Sequence, residues 1–368
     1  MSSTHHSNSV PVAGLFVDMF CTSIIDVAGE LGIPCYLYFA SPATFLGFML
    51  HLPTLDTQVG SEFEDSGTEF TIPSFANSVP SQVFPPTMSK RNVDGYSWFL
   101  HHGRRYRETK GIIVNTFRKL EPFACNSFST GDVPPVYPVG PILDHHGPAR
   151  WHSNHDDIMK WLDHQPPSSV AFLCFGSMGS LSGAQLREIA HGLERTGYRF
   201  LWSVRRPPKA KLDLPSDYTD LEKVLPDGFL ERTDGIGLVC GWVPQVANLA
   251  HKAIGGFVSH CGWNSILESL WYGVPIATWP VYAEQQMNAF EMVKELELAV
   301  EIRLDYREDS DLVLAEEVER GVRRLMDGDG EIRRKVKEMS EKSRKAVTEN
   351  GSSLTSLGHL IEELKAEI

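Results

Sequence analysis

No Cys-x-x-Cys pair occurs in this sequence. Its six cysteines, Cys21, Cys35, Cys125, Cys174, Cys240 and Cys261, are scattered, most of them inside apolar runs. Reduced, buried thiols are therefore expected, which suits a cytoplasmic protein and argues against a disulfide framework. The histidine pairs His5–His6, His101–His102 and His145–His146 lack metal-ligand spacing, so no metal site is expected. Positive charge is scarce as well. A net charge of -13 excludes a nucleic-acid binder that relies on a broad basic surface. No Lys or Arg stands between Ala253 and Gln285. An anion bound by that stretch has to be held by backbone N–H groups and neutral side chains. Residues 1–10 are polar and hold no signal-like apolar segment. The most membrane-like stretch, 32–52, is interrupted by Pro34, Ser41, Pro42 and Thr44. It reads as a buried strand followed by a helix, so stable membrane insertion is not expected. A dinucleotide fingerprint is missing: Gly235-Ile-Gly237 lacks the third glycine and precedes a strand instead of following one. No internal repeat is present.

What is present is the alternation of an α/β protein in two domains. The 368 residues are 42% hydrophobic and 22% charged, a packed globular composition. A strand is expected over 12–16, running out at Asp18, then a helix over 22–31 that stops at Gly32. A strand over 34–40 and a helix from Ser41-Pro42 to about Leu52 follow. Residues 53–90 are rich in Pro, Ser and Thr and read as a long surface excursion with one short strand near 70–72. A helix over 95–109, a buried strand over 111–115 and an extended segment over 135–141 complete the first part. The polar stretch 144–155 reads as the linker. Beyond it the strands 170–175, 200–204, 237–240, 254–259, 274–279 and 299–302 alternate with helices, the pattern of a parallel sheet covered on both faces. Helices are expected over 315–326 and 331–350, and a terminal helix over 353–368.

Four strand ends in this second part carry polar groups to one rim. They deliver Ser177, then Trp242 to Gln245, then His260 to Ser265, then Tyr282 to Gln285. In open α/β sheets ligands bind beyond the carboxyl ends of the strands. The junction at His260-Cys261-Gly262-Trp263-Asn264 is a strand, a glycine-bearing turn and a helix start, which is an anion site. These groups suit a nucleotide sugar. Trp242 offers a flat face for a base. Gln245 and Glu268 suit ribose hydroxyls, and His260, Asn264, Ser265 and Ser177 suit a diphosphate. Glu284 and Gln285 suit sugar hydroxyls. Plainer roles compete. Ser265 and Glu268 are spaced as a helix capping box, and His260 alone reads as a buried core histidine. Trp263 and Trp279 read as packing residues, with Trp263 shaping the turn.

Residues 242–285 resemble the signature box of the plant family-one UDP-glycosyltransferases. Trp242-Val-Pro-Gln245, His260-Cys-Gly-Trp-Asn-Ser265, Glu268 and Glu284-Gln285 fall in that box's register. The likeness extends to Asp18-Met-Phe-Cys21, Val139-Gly-Pro141, Phe175-Gly-Ser-Met-Gly179 and residues 197–208. It implies a GT-B fold of two Rossmann-like, doubly wound parallel-sheet domains, the first one incomplete. Residues 1–143 would then bind the acceptor and residues 156–352 the UDP-sugar, with the terminal helix 353–368 packing back on the first domain. The resemblance implies UDP-sugar contacts from Ser177, Trp242, Val243 through its backbone, Gln245, His260, Trp263, Asn264, Ser265, Glu268, Tyr282, Glu284 and Gln285. Gln285 at the end of the box goes with glucose in the family. The implied reaction is inverting, metal-independent transfer of glucose from UDP-glucose to a hydroxyl of a small phenolic or lipophilic metabolite. No further cofactor is implied, and a monomer is expected.

On the acceptor side the family orients a His base with an Asp. Asp18 matches that Asp, with helix capping near a strand end as its plainer role. The family's His lies in a loop upstream of this position, and His5 and His6 lie in a polar tail with no strand before them. A further stretch of roughly a hundred residues, a large part of a domain, is expected in the family before Asp18. A sheet without it would show an unpaired edge and exposed apolar faces. Two outcomes therefore stay open: an active transferase, or a UDP-sugar-binding fragment or truncated gene product that lacks the base. The aromatic and apolar residues Phe20, Phe45, Phe48 and Met49 are candidates for the acceptor pocket or for the core.

Overall fold

The apolar runs of the first part form four short parallel strands in the computed structural model. These are β1 (Leu15–Asp18), β2 (Cys35–Phe39), β3 (Gly111–Val114) and β4 (Val136–Pro138), side by side in chain order. The structure describes residues 12–59, 62–63, 68–90, 94–129, 133–144, 155–210, 213–306, 312–328 and 330–367. His5, His6, His145, His146 and nearly all of the expected linker lie outside them. The short strand expected near 70–72 is Glu69–Phe70, paired antiparallel with Val79–Pro80.

Helix α1 (Ile24–Leu31) ends where expected, because Gly32 takes the left-handed conformation (φ 65°) that closes a helix. Helix α2 (Ala43–Gln58) does not stop ahead of Pro53; it runs through that proline. A proline leaves the carbonyl four residues back, here that of Met49, without its helical partner. Helix α3 (Asp94–Arg105) closes over this point. A side chain at Gly103 would meet the Met49 carbonyl oxygen at 2.4 Å, so only glycine lets the two backbones approach. Phe45, Phe48 and Met49 on α2 are core residues, while Phe20 is exposed.

The second sheet has six parallel strands: β5 (Val170–Cys174), β6 (Arg199–Ser203), β7 (Gly237–Cys240), β8 (Ile254–Ser259), β9 (Ile276–Thr278) and β10 (Ala299–Glu301). Their spatial order is β7-β6-β5-β8-β9-β10. The strand order reverses between β5 and β8, the switch point of a doubly wound sheet. Successive residues face opposite cores, as the pleat requires. Val170, Phe172 and Cys174 pack with α5 (Trp263–Tyr272) and with the helix Gly330–Ala346. Ala171 and Leu173 pack with the helices Gly183–Thr196 and Ala315–Arg323. Each fully buried large side chain contributes about 1.5–3 kcal/mol. The helix α6 (Gln285–Phe290) continues into a π-helical turn, Glu291–Glu295, in place of the single helix expected there. The terminal helix α7 (Ser352–Ala366) lies against β4, packing Leu360 with Tyr36, Ile113 and Tyr137. Ser353 donates to the Gly140 carbonyl and Lys110 pairs with Glu367 at 3.0 Å.

The outer edge of β1 has no partner strand among the described residues. Phe16 on it is 49% exposed and Leu31 on α1 is 66% exposed, with Val12, Phe20 and Val27 also open to solvent.

The two sheets meet through carboxylates. Glu121 accepts from the backbone N–H groups of Ala43 (3.0 Å) and Thr44 (2.7 Å), satisfying the start of α2. Glu291, from the π turn, accepts from the Thr44 hydroxyl at 2.7 Å. Both glutamates are buried and close enough to hydrogen-bond to each other. Two carboxylates at such a distance do not both ionise. Burial first, and then the charge of Glu121, pushes the Glu291 pKa well above its ordinary value of 4.5. Burial raises the Glu121 pKa as well, while the Thr116 hydroxyl, the two N–H donors and Glu291 pull it back down. Glu295 adds like charge, and Cys125 faces the pair with Arg118 beyond it. A raised carboxyl pKa means the folded state binds the extra proton. Its stabilising contribution is complete below the unfolded value near 4.5 and is lost as pH rises through the folded value. Glu291→Gln keeps the Thr44 bond and donates an amide N–H to Glu121 with no proton to lose. Between pH 5 and pH 8 the melting temperature of the parent chain should fall relative to that of Glu291→Gln; parallel melting curves across that range would refute the shared proton.

Candidate functional site

At the switch point lies a cavity of about 450 Å³. All twelve residues expected to contact a UDP-sugar line it: Ser177, Trp242, Val243, Gln245, His260, Trp263, Asn264, Ser265, Glu268, Tyr282, Glu284 and Gln285. Asp18 does not. Residues without a motif also line it, notably Asp144 from the segment after β4, Cys174 at the end of β5 and Ser203 at the end of β6. Their only sequence signal is that each stands at or just beyond a strand end.

The floor is a histidine set between glycines. His260 follows β8 and is 6% exposed. A side chain at Gly176 (φ 81°) or at Gly262 would come within 2.6 Å of His260 Nε2, so both turns require glycine. Burial pushes the His260 pKa down to about 4, and the Cys174 carbonyl beside the ring offsets part of that shift. The imidazole is therefore neutral at physiological pH, and its buried Nδ1 has no hydrogen-bond partner among the described residues. Cys261 next to it is left-handed (φ 63°), a conformation that costs a non-glycine residue about 1–2 kcal/mol. The turn is held there by Asn288, whose amide donates to the Cys261 carbonyl at 3.0 Å. Ala283, on the loop after β9, is left-handed as well (φ 57°). Strained residues of this kind collect at binding sites.

Helix α5 starts at Trp263, two residues before the expected start, with Gly262 as an N-cap that offers no side chain. Ser265 is therefore the third residue of the helix and not its cap, which overturns the capping-box alternative. Instead Gln245, at the start of α4 (Gln245–Leu249), donates to Ser265 Oγ at 2.8 Å and to Glu268 Oε2 at 2.6 Å. Burial pushes the Glu268 pKa up, the Gln245 bond pulls it down, and the charge of Asp144 raises it again. The uncapped N–H groups of α5 and its dipole make the positive end of the cavity. The lining itself has three carboxylates, Asp144, Glu268 and Glu284, and no Lys or Arg.

The remaining expected residues divide between ligand-facing and structural work. Trp263 is 3% exposed and its indole N–H donates to the Asn115 carbonyl of the first domain at 2.7 Å, so the ring both lines the cavity and ties the two sheets. Asn115 also accepts from Ile142 N–H at 2.8 Å. Gln285 Oε1 accepts from the N–H groups of Val281 (2.9 Å) and Tyr282 (3.0 Å), which fixes the loop, and its side chain also bonds that of Tyr282. Trp242 is positioned by its own N–H, which donates to Asp217 at 3.0 Å. Glu284 Oε1 accepts from the Ser41 hydroxyl at 2.9 Å. Trp279, read as packing, is fully buried.

Asp18 ends β1 and is exposed. Its carboxylate accepts from Phe20 N–H at 2.9 Å, within a turn, and does not cap α1, whose N-cap is Ser23. The histidine that the fold brings into its electrostatic reach is His102 on α3. That ring is bound through Nδ1 to Thr22 Oγ1 at 2.8 Å and makes no hydrogen bond to Asp18. Among the described residues no group of three or more His, Cys, Asp or Glu side chains is arranged to hold a metal ion.

Known proteins share this architecture. Residues 150–322 match the family described as UDP-glucoronosyl and UDP-glucosyl transferase. UDP-glycosyltransferase 43 of Pueraria montana var. lobata is 60% identical over 98% of this chain and 76% of its own length. UDP-glucose flavonoid 3-O-glucosyltransferase 6 of Fragaria ananassa is 53% identical over 98% of this chain and 77% of its own. The crystal structure of a UGT transferase from Siraitia grosvenorii in complex with UDP superimposes with a TM-score of 0.92 at 52% identity, covering 98% of this chain and 84% of that one. With this sequence identity, this sheet order and the cavity at its switch point, the chain belongs to the plant UDP-glycosyltransferases, GT-B enzymes that take a UDP-sugar as donor.

Proposed function

We propose that this protein transfers glucose from UDP-glucose to a hydroxyl group of a small phenolic or lipophilic plant metabolite, with inversion and without a metal. The observation that carries this reading is the assembly of all twelve expected donor-contact residues around one switch-point cavity. The flavonoid glucosyltransferase from Fragaria, to which the chain is 53% identical, supports the choice of glucose and of a phenolic acceptor.

In this reading uracil stacks on Trp242, with the Val243 backbone at its edge. Gln245 and Glu268 take the ribose. The diphosphate sits at the start of α5 with Asn264, Ser265, His260 and Ser177 as neutral donors. Glu284 and Gln285 hold the hexose. The acceptor oxygen attacks the anomeric carbon from the face opposite UDP. The new C–O bond forms as the bond from the anomeric carbon to the phosphate oxygen breaks, the hydroxyl proton passes to a base, and UDP leaves with the bond's electrons. Asp18, at the rim end of β1, is assigned as the carboxylate that orients that base. The division of labour we infer gives the acceptor to residues 1–143, the donor to residues 156–352, and a closing role against the first domain to residues 353–368. We place the protein in the cytoplasm, in keeping with its six free thiols, and as a monomer, because one chain completes the cavity.

The decisive experiment is calorimetric titration with UDP-glucose beside a turnover assay with a flavonol, in the presence of EDTA. Binding with turnover supports the reading; binding without turnover would leave only the donor site. Within that assay Trp242→Ala should weaken UDP binding about tenfold or more, since stacking a base on an aromatic ring contributes about 1–3 kcal/mol. A second variant tests the floor of the site. Gly176→Ala places a methyl group 2.6 Å from His260 Nε2 at a left-handed position. It should lower the melting temperature by the equivalent of about 1–2 kcal/mol and reduce the further stabilisation that UDP confers. An unchanged thermal shift with UDP would remove His260 from the phosphate site.

A further inference from the structure

The helix and π turn that follow the cavity carry a row of glutamates spaced by seven and four residues, Glu284, Glu291 and Glu295. Each accepts hydrogen bonds from the first domain. Ser41 Oγ donates to Glu284 at 2.9 Å and Thr44 Oγ1 to Glu291 at 2.7 Å. The N–H groups of Ala76 and Asn77 donate to Glu295, both at 2.9 Å. Glu291 and Glu295 lie away from the cavity. Glu284 lines it. The first bond in the row therefore differs from the other two: it links the first domain to a side chain at the sugar end of the donor site.

Ser41 is a rigid donor. It follows β2 directly and is 6% exposed. Pro42 after it has φ -65°, and the start of α2 beyond is fixed by the two N–H bonds to Glu121. A carboxylate rotates easily about its last torsion, which is broad and two-fold. A buried hydroxyl bonded to one oxygen selects one orientation and leaves the other oxygen for a ligand's hydroxyl groups. The lining residues assigned to uracil, ribose and diphosphate belong to the second sheet and its loops, and the first domain reaches that end through Asn115, at Trp263 and Asn264, and not through Ser41.

We propose that Ser41 is a donor-positioning residue: its hydroxyl, supplied by the first domain, orients Glu284 for the hexose of the nucleotide sugar. The sugar half of the donor site then depends on this one bond between the domains, while the nucleotide half does not. This rests on the reading of the cavity as a UDP-glucose site.

The test is the ratio of UDP-glucose affinity to UDP affinity, measured by calorimetry on the full chain and on Ser41→Ala, Ser41→Thr and Thr44→Val. Ser41→Ala should weaken UDP-glucose about ten- to a hundredfold with UDP unchanged, the scale of losing one hydrogen bond to a charged group. Ser41→Thr keeps the hydroxyl and should restore the ratio. Thr44→Val removes the neighbouring interdomain bond and should lower the melting temperature without changing the ratio. A parallel loss of UDP and UDP-glucose in Ser41→Ala, an unchanged ratio, or an equal change in Thr44→Val would each overturn the proposal. If the parent chain binds UDP but not UDP-glucose, the hexose assignment itself fails and this proposal fails with it.

Discussion

In the proposed reading a diphosphate has to be held in a cavity whose lining, among the described residues, offers three carboxylates and no lysine or arginine. Much of the second domain follows from that constraint. With no cation available, the positive potential comes from the uncapped start of α5 and its aligned peptide dipoles. A side-chain cap there would occupy the N–H groups a phosphate needs, and the N-cap is a glycine. The neighbouring imidazole is neutral and walled by Gly176 and Gly262. The strain at Cys261 and Ala283 lies in the two loops that bring backbone and side chains to the same rim. In the proposed reading the carboxylates are the acceptors for the hydroxyl groups of ribose and hexose.

A second economy of charge joins the domains. Glu121 holds the start of α2, and Glu291 reaches it with a proton between them. Burying two carboxyl groups together is unfavourable unless they are hydrogen-bonded throughout. Two backbone N–H groups, the Thr44 hydroxyl and the shared proton supply those bonds. The same helix that presents Gln285 to the cavity thereby carries the contact with the first domain. Packing between domains and geometry at the sugar end are therefore set by one element.

The sequence makes the second domain far more legible than the first. Its strands are apolar runs ending in polar turns, and the box from Trp242 to Gln285 places its groups on one rim through local structure alone. What local patterns do not show is contact over long separations. Ser41 reaches Glu284 across 243 residues and Asn115 reaches Trp263 across 148, and neither carries a motif. Asp144, Cys174 and Ser203 enter the cavity for the same reason. Where local signals mislead, a tertiary contact has overridden them. Pro53 announces a helix end, but Gly103 packs onto the carbonyl that the proline leaves free and the helix continues. Ser265 and Glu268 have capping-box spacing, but Gln245 binds both and the helix begins earlier.

These two kinds of legibility divide the proposed mechanism in the same place. The proposed nucleotide contacts come from one sheet, all but Ser177 from the stretch 242–285. The hexose contact at Glu284 takes its orientation from Ser41, and Asp18 stands on the strand beside the one that leads to Ser41, paired in register through Tyr38. The acceptor carboxylate and the sugar-orienting hydroxyl thus move together on the first sheet. A displacement of that sheet would disturb both reacting partners at once, and it would reach the nucleotide end only through Asn115, which holds Trp263 and Asn264. In the proposed architecture turnover reports on the fit between the two domains.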